Sequence, residues 1–151
     1  KEHLKELKSL FPGSIFFSEL NTYESASITQ RYLIIDNIGM LSRLYHYATI
    51  AYVGGGFNRG IHNTLEAAIY GKPVLFGPNY EKFREAIGLI AAGGGACITS
   101  TTDLTSQLKK ILNTKSELEL RSKKSFEFVQ ENKGATEKIL GYIHENRLLT
   151  S

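Results

Sequence analysis

The chain has 151 residues, of which 42% are hydrophobic and 22% are charged, and this balance predicts a folded domain of ordinary size. Eighteen basic and fifteen acidic side chains leave a net charge of +3, which is too small to indicate a nucleic-acid-binding protein. A single cysteine excludes an internal disulfide, and four scattered histidines argue against a zinc site. Without a signal peptide or an apolar run of roughly 18 residues, the composition is typical of a soluble protein in a reducing, cytoplasmic setting.

The spacing of apolar residues predicts helices and strands in alternation. In the first third of the chain, the spacing predicts a helix from Leu4 to Phe11, a strand over Ser14–Ser18, a loop over Asn21–Gln30, a strand over Tyr32–Asp36 and a helix from Leu41 to Ala48. The remainder gives strands over Thr49–Val53, Pro73–Phe76 and Ala96–Thr99, and helices over Ile61–Tyr70, Glu81–Ala92, Asp103–Leu112, Glu117–Glu131 and Ala135–Arg147.

Short, wholly apolar strands separated by helices are typical of an α/β fold, a Rossmann-like parallel sheet with helices on both faces. The chain begins with a predicted helix where such a domain normally begins with a strand. We therefore expect residues 1–151 to form a single ligand-binding domain that lacks its first strand–helix–strand portion. Ligands of such folds bind outside the carboxyl ends of the strands.

Three glycines, Gly54 to Gly56, follow the predicted strand that ends at Val53. Glycine lets the backbone approach a ligand closely, and the first amides of the predicted helix near Ile61 and His62 would suit a phosphate. A tight strand-to-helix turn without a ligand explains the same glycines.

Two polar side chains, Asn63 and Glu66, share one face of that predicted helix with His62. The Glu66 carboxylate can accept two hydrogen bonds from the vicinal diol of a ribose. The alternatives are that Glu66 complements the helix dipole and that His62 is only a helix-start residue.

Other candidate residues lie at the ends of neighbouring strands. Asn79 follows the strand over Pro73–Phe76, and Arg84 on the next helix can meet an anion or be a surface cation. Gly39 follows the strand that ends at Asp36 and would let the backbone approach a flat base, unless it only serves a turn.

Five motifs together resemble the 3-deoxy-D-manno-octulosonic acid (Kdo) transferase family, in its carboxyl-terminal, donor-binding half of a two-Rossmann-domain (GT-B) glycosyltransferase. The motifs are Asp36-Asn-Ile-Gly39, Tyr52-Val-Gly-Gly55, Gly60-Ile-His-Asn-Thr-Leu-Glu66, Pro73-Val-Leu-Phe-Gly-Pro78 and Phe83-Arg-Glu85. Two positions depart from the family pattern, since Met40 stands where an acidic residue is frequent and Ile61 where a glycine is frequent.

The resemblance implies a bacterial, membrane-associated transferase of lipopolysaccharide biosynthesis that takes CMP-Kdo as donor and a lipid A precursor as acceptor. It implies no metal and no cofactor. The acceptor domain, the catalytic residues and the membrane anchor would belong to an amino-terminal half outside these residues, so this fragment alone would be inactive and soluble. The parent chain would act at the cytoplasmic face of the inner membrane.

The resemblance also assigns nucleotide-binding roles within the chain. The predicted contacts with the CMP-sugar are Ile38, Gly39, Met40, Gly55, Gly56, His62, Asn63, Thr64, Leu65 and Glu66, with Asn79 and Arg84 as further candidates. No catalytic residue is predicted in this fragment.

Other classes of protein are also compatible with this sequence. Another GT-B enzyme or an epimerase that uses a UDP-sugar, and a non-catalytic nucleotide-binding module, fit the same generic features. A nicotinamide-dependent oxidoreductase is disfavoured, because the glycines do not form Gly-x-Gly-x-x-Gly and no acidic residue ends the next strand.

Overall fold

A computed structural model describes residues 2–22, 29–146 and 148. The chain divides into two compact units, Lys1–Leu41 and Ser42–Ser151. Residues 23–28 of the predicted loop and Arg147 of the last predicted helix lie outside the described residues.

The first unit contains a short parallel ladder. Its elements are helix α1 (Glu2–Leu10), strand β1 (Ile15–Phe16), a 3₁₀ segment (Phe17–Thr22) and strand β2 (Leu33–Ile34). Strand β1 pairs with β2 in parallel, so that Ile15 lies beside Leu33. Both residues of β1 are buried.

The second unit contains a three-stranded parallel sheet and most of the helices. Helix α2 (Leu41–Leu44) contains the boundary between the units, and a 3₁₀ segment (Tyr45–Tyr47) follows it. The other elements are β3 (Ala51–Val53), α3 (Leu65–Ala68), β4 (Val74–Phe76), α4 (Arg84–Ala92), β5 (Gly95–Cys97), α5 (Thr101–Asn113), α6 (Lys115–Asn132) and α7 (Ala135–Glu145).

The central strand β4 explains how the second unit buries its core. The strand order is β3-β4-β5, and successive side chains of β4 point to opposite faces of the sheet. Val74 and Phe76 pack with the apolar residues of α3 and α4, whereas Leu75 packs with Ile111 of α5 on the other face. The predicted α/β class, with helices on both faces of a parallel sheet, is confirmed.

Some predicted boundaries are wrong. Helix α4 begins at Arg84 and not at Glu81, because Phe83 has extended backbone angles and forms its amino-terminal cap. Strand β5 covers Gly95–Cys97 and not the predicted Ala96–Thr99. Gly94 and Gly95 are buried, and a Cβ atom added at Gly94 would lie 2.7 Å from the Ser125 backbone nitrogen.

Candidate functional site

The loop that follows β3 folds back on itself through backbone hydrogen bonds. The carbonyl of Gly55 accepts hydrogen bonds from the amides of Asn58 (3.0 Å) and Gly60 (3.2 Å). Gly55 has φ of 90°, and a Cβ atom there would overlap the carbonyl oxygen of Gly60. Only glycine fits this turn, so its first role is to shape the loop.

The glycine loop also packs directly on the loop that follows β4. A Cβ atom at Gly56 would lie 2.6 Å from the backbone of Gly77, so the two backbones touch. The amide of Asn79 donates to the carbonyl of Gly56 (2.8 Å), and its side-chain amide donates to the carbonyl of Asn58 (2.9 Å). The close approach that the glycines permit is thus between two loops at the carboxyl edge of the sheet.

The predicted helix over Ile61–Tyr70 is wrong at its amino end, since α3 begins at Leu65. Two hydrogen bonds hold the preceding residues out of the helix. The His62 amide donates to the carbonyl of Gly54 (3.1 Å), and the Asn63 side-chain oxygen accepts from the amide of Leu65 (3.0 Å). Asparagine competes with helix formation in this way, by binding the backbone two residues on.

The carboxyl end of α3 is short as well. The amide of Ile69 donates to the carbonyl of Leu65, but the amides of Tyr70 and Gly71 donate to carbonyls only three residues earlier. The element is therefore a single α-helical turn that tightens before Gly71.

Asn63 and Glu66 lie together at the start of α3. The side-chain amide of Asn63 donates to Glu66 Oε1 over 3.3 Å, while its oxygen caps the Leu65 amide. Asn63 is exposed and Glu66 is half-buried. The pair leaves the other carboxylate oxygen of Glu66, Oε2, without a protein donor among the described residues.

Residues beside this pair differ in exposure. His62 is exposed, and its ring carbon Cδ2 lies 3.4 Å from where a Cβ atom at Gly55 would be. Thr64 is fully buried, and its hydroxyl has no hydrogen-bond partner in the described part of the chain. Leu65 is exposed over 37% of its surface.

Tyr45 is a neighbour of Glu66 that is not among the site residues predicted from the sequence. Burial raises the pKa of the Tyr45 hydroxyl, and the negative charge of Glu66 raises it further. The tyrosine therefore stays protonated at neutral pH and lies within electrostatic reach of the carboxylate. No local sequence pattern indicates this pairing, because 21 positions separate the two residues.

Ile38, Gly39 and Met40 belong to the first unit, after strand β2. Ile38 is fully exposed, Gly39 has φ of 92°, and the Asn37 side-chain amide contacts the Met40 sulfur at 2.8 Å. Their use by the same ligand as Asn63 and Glu66 stays a prediction.

Asp36, at the start of the same segment, has a structural partner. The Ser18 hydroxyl donates to Asp36 Oδ2 (2.6 Å) and the Ser18 amide donates to Oδ1 (3.0 Å). The hydroxyl bond is the main reason that the pKa of the Asp36 carboxyl is lowered, and the amide bond contributes to it, against a smaller opposing effect of burial.

Arg84 is the last of the predicted site residues. Arg84 is exposed at the first position of α4, and the ion pairs of the described chain do not include it.

Burial of the Cys97 thiol raises its pKa, and the negative charge of Asp103 raises it further, which disfavours a nucleophilic thiolate. Among the described residues no group of three or more His, Cys, Asp or Glu side chains is placed to hold a metal ion.

Sequence comparison finds relatives over almost the whole chain. The chain is 30% identical over 150 residues to a protein of Rickettsia typhi named 3-deoxy-D-manno-octulosonic acid transferase, which covers 94% of this chain and 32% of that protein. Proteins of the same name from Rickettsia bellii and Aquifex aeolicus are 28% identical over 148 residues and 34% identical over 93 residues. The match covers about a third of the length of the two Rickettsia proteins and about a quarter of the Aquifex protein, and the resemblance drawn from the motifs is confirmed.

A solved structure has the same fold. The C-terminal CMP-Kdo binding domain of WaaA from Acinetobacter baumannii superposes with a TM-score of 0.73 and 20% sequence identity, over 85% of this chain and 67% of that one. None of the models of known protein families matches the chain. The solved structure supports the predicted Rossmann-like fold.

Proposed function

We infer that this chain, a relative of the 3-deoxy-D-manno-octulosonic acid transferases over almost its whole length, is the donor-binding part of such a glycosyltransferase. The donor that we propose is CMP-Kdo, and the acceptor is a lipid A precursor in lipopolysaccharide biosynthesis. The proposal is supported by the names of the relatives and by the CMP-Kdo binding domain that has the same fold.

The observation that carries the proposal is the pairing of Asn63 with Glu66 at the carboxyl edge of β3. Asn63 holds one carboxylate oxygen of Glu66, so the side chain is already oriented before a ligand arrives. The second oxygen can accept hydrogen bonds from the ribose hydroxyls, and bonds to a charged acceptor are stronger than neutral ones. Ligands of parallel α/β sheets bind at this edge.

Backbone donors beside the pair suit the phosphate of the nucleotide. Among the described residues, the amides of Asn63 and Glu66 have no protein acceptor, whereas those of His62 and Leu65 do. Thr64 is fully buried, so its amide is out of a ligand's reach. The predicted phosphate contact therefore moves from the His62 amide to the amides of Asn63 and Glu66. Amides of this kind stabilise negative charge that develops on a leaving phosphate.

The reaction that we propose is attack by an acceptor hydroxyl on the anomeric carbon of Kdo, with CMP as the leaving group. The proton of that hydroxyl passes to a base in the part of the relatives that lies outside this chain. This chain supplies donor binding and leaving-group stabilisation, and by itself we expect it to bind CMP without transferring Kdo.

The place of action that we propose is the cytoplasmic face of the bacterial inner membrane, reached through the rest of a longer protein. Within the described part of this chain, no helix has the length and apolar character that crossing a bilayer requires.

Calorimetric titration of the chain with CMP and with UDP tests the proposal. A donor site for CMP-Kdo binds CMP at least about tenfold more tightly than UDP, which corresponds to about 1.4 kcal/mol. A clear preference for UDP would contradict it and favour a UDP-sugar enzyme.

A further inference from the structure

A cleft of about 470 Å³ lies between the loops that follow β3 and β4. We call it the Arg59 cleft. Its walls are Asn58, Arg59 and Gly60 on one side and Pro78, Asn79 and the segment Glu81–Phe83 on the other. The volume is within the range of small-molecule sites, and the position is the edge at which parallel α/β folds bind ligands.

The backbone fixes the shape of the Arg59 cleft. Asn79 holds both Gly56 and Asn58 through the two hydrogen bonds described above, so the two loops are tied together. On the other side, a Cβ atom at Gly60 would lie 3.0 Å from the ring of Phe83. The ring therefore packs on the glycine backbone and forms an apolar wall next to polar ones.

The charges in the cleft favour an anion. Arg59 and Lys82 are both exposed, and Glu81 is the single carboxylate among the lining residues. Ion pairs of the described chain include neither of these cations. By contrast, several basic side chains of α5 and α6 contact a glutamate, as Lys110 and Arg121 contact Glu117.

The cleft adjoins the proposed nucleotide site along the chain. Gly60, in its wall, precedes Asn63 by three positions, so their Cα atoms lie within about 11 Å of one another. A ligand held through its ribose at Glu66 and its phosphate at the neighbouring amides can thus extend its next group toward Arg59.

We propose that the Arg59 cleft binds the carboxylate of an acidic sugar, the sugar part of the donor, with Arg59 and Lys82 as its cationic contacts. The inference rests on the proposed function, because the relatives' name identifies their sugar as an acid. Arg59 can hold a carboxylate through two parallel hydrogen bonds, whereas Lys82 acts as a point charge. Phe83 then contacts the less polar part of the sugar.

Protein-observed NMR titrations of the chain with free Kdo, with its methyl ester and with a hexosamine phosphate test the proposal. The free acid is expected to shift the amide signals of residues 58–60 and 79–83, and the neutral ester is expected to shift them much less. The variants Arg59→Gln and Lys82→Gln should each weaken the binding of the acid by roughly threefold to tenfold. Lys138→Gln, a change of an exposed lysine on α7, is the matched control and should bind like the wild type.

Titration with CMP tests the proposed nucleotide site, whereas titration with free Kdo tests the Arg59 cleft, so the failure of one can be told apart from the failure of the other. Arg59→Gln should leave the affinity for CMP within about twofold, since the proposed ribose and phosphate contacts are Asn63 and Glu66 and do not include Arg59. The inference is overturned if the acid and its ester bind alike, or if the acid does not bind. It is also overturned if the hexosamine phosphate alone binds, which would assign the cleft to a phosphate of the acceptor. Failure of CMP to bind would instead contradict the proposed nucleotide site.

Discussion

Asn63 makes two hydrogen bonds with different consequences. Its oxygen caps the amide of Leu65, and its amide group holds the carboxylate of Glu66. The cap contributes to stability whether or not a ligand is bound, whereas the second bond orients the group that we propose to bind ribose. Substitutions that separate the two bonds therefore separate folding from function.

Replacing Asn63 by serine and by alanine makes this separation. Asn63→Ser keeps a capping oxygen but removes the amide donor, so we expect a melting temperature near that of the wild type and a CMP affinity at least about fivefold weaker. Asn63→Ala removes both and should also destabilise the fold by about 0.5–2 kcal/mol. Thermal unfolding and calorimetry measure the two effects. Wild-type CMP affinity in Asn63→Ser would mean that Asn63 is only a helix cap.

The Asp36 carboxyl predicts a pH dependence of stability. Its pKa is lowered in the folded chain, chiefly by the Ser18 hydroxyl, so it binds fewer protons than in the unfolded chain. Its contribution is complete above the unfolded pKa of about 3.9 and is lost as the pH falls through the lower folded value. Melting temperatures measured from about pH 6 to pH 2 should show a smaller acid-side loss in Asp36→Asn and in Ser18→Ala. The same loss in both variants as in the wild type would exclude this contribution.

At the scale of elements, the contact between the β3 and β4 loops depends on two glycines. A Cβ atom at Gly77 would lie 2.7 Å from the carbonyl carbon of Gly56 and 2.9 Å from its oxygen, so the backbone would have to shift to admit it. We expect Gly77→Ala to cost about 1–3 kcal/mol in the free energy of unfolding. Urea denaturation measures this cost.

Gly141 provides the control for this substitution. It lies in the middle of α7, and a Cβ atom there meets nothing within 4 Å. Gly141→Ala should therefore stabilise the chain by about 0.5–1 kcal/mol. Equal effects of the two substitutions would show that the loop contact carries no special constraint.

The elements that the sequence predicts well are those with local causes. Strands β3 and β4 lie within the predicted ranges because apolar runs bounded by glycine and proline define them. Helices α5 and α6 each begin two residues before the predicted start. The Ser100 side chain caps α5 by accepting a hydrogen bond from the amide of Asp103. In these elements local propensity and tertiary packing agree.

The start of α3 cannot be predicted from the local sequence, because its causes are not local. The bond from the His62 amide to the carbonyl of Gly54 needs the loop to close first, and periodicity does not reveal it. The sequence therefore predicts correctly that Asn63 and Glu66 are neighbours and that Glu66 is helical, but it wrongly places Asn63 inside the helix. Arg59 and Lys82 were not selected, because their common cleft forms only when two loops meet.

At the scale of the whole molecule, this chain corresponds to about a third of its relatives' length. The assignment of residues 1–151 to a single donor-binding domain remains a prediction, and the structure describes two compact units. The proposed ribose and phosphate contacts all lie in the second unit, which contains β3, β4 and the start of α3. Nucleotide binding can therefore be tested on the chain itself.

The most direct test is the affinity of CMP for the wild-type chain and for Glu66→Ala, measured by calorimetry on samples whose melting temperatures agree. We expect the substitution to weaken binding by about tenfold or more, because a charged hydrogen-bond acceptor contributes about 1.5–3 kcal/mol. Equal affinities in the two folded proteins would show that Glu66 does not hold the nucleotide and would contradict the proposed donor site.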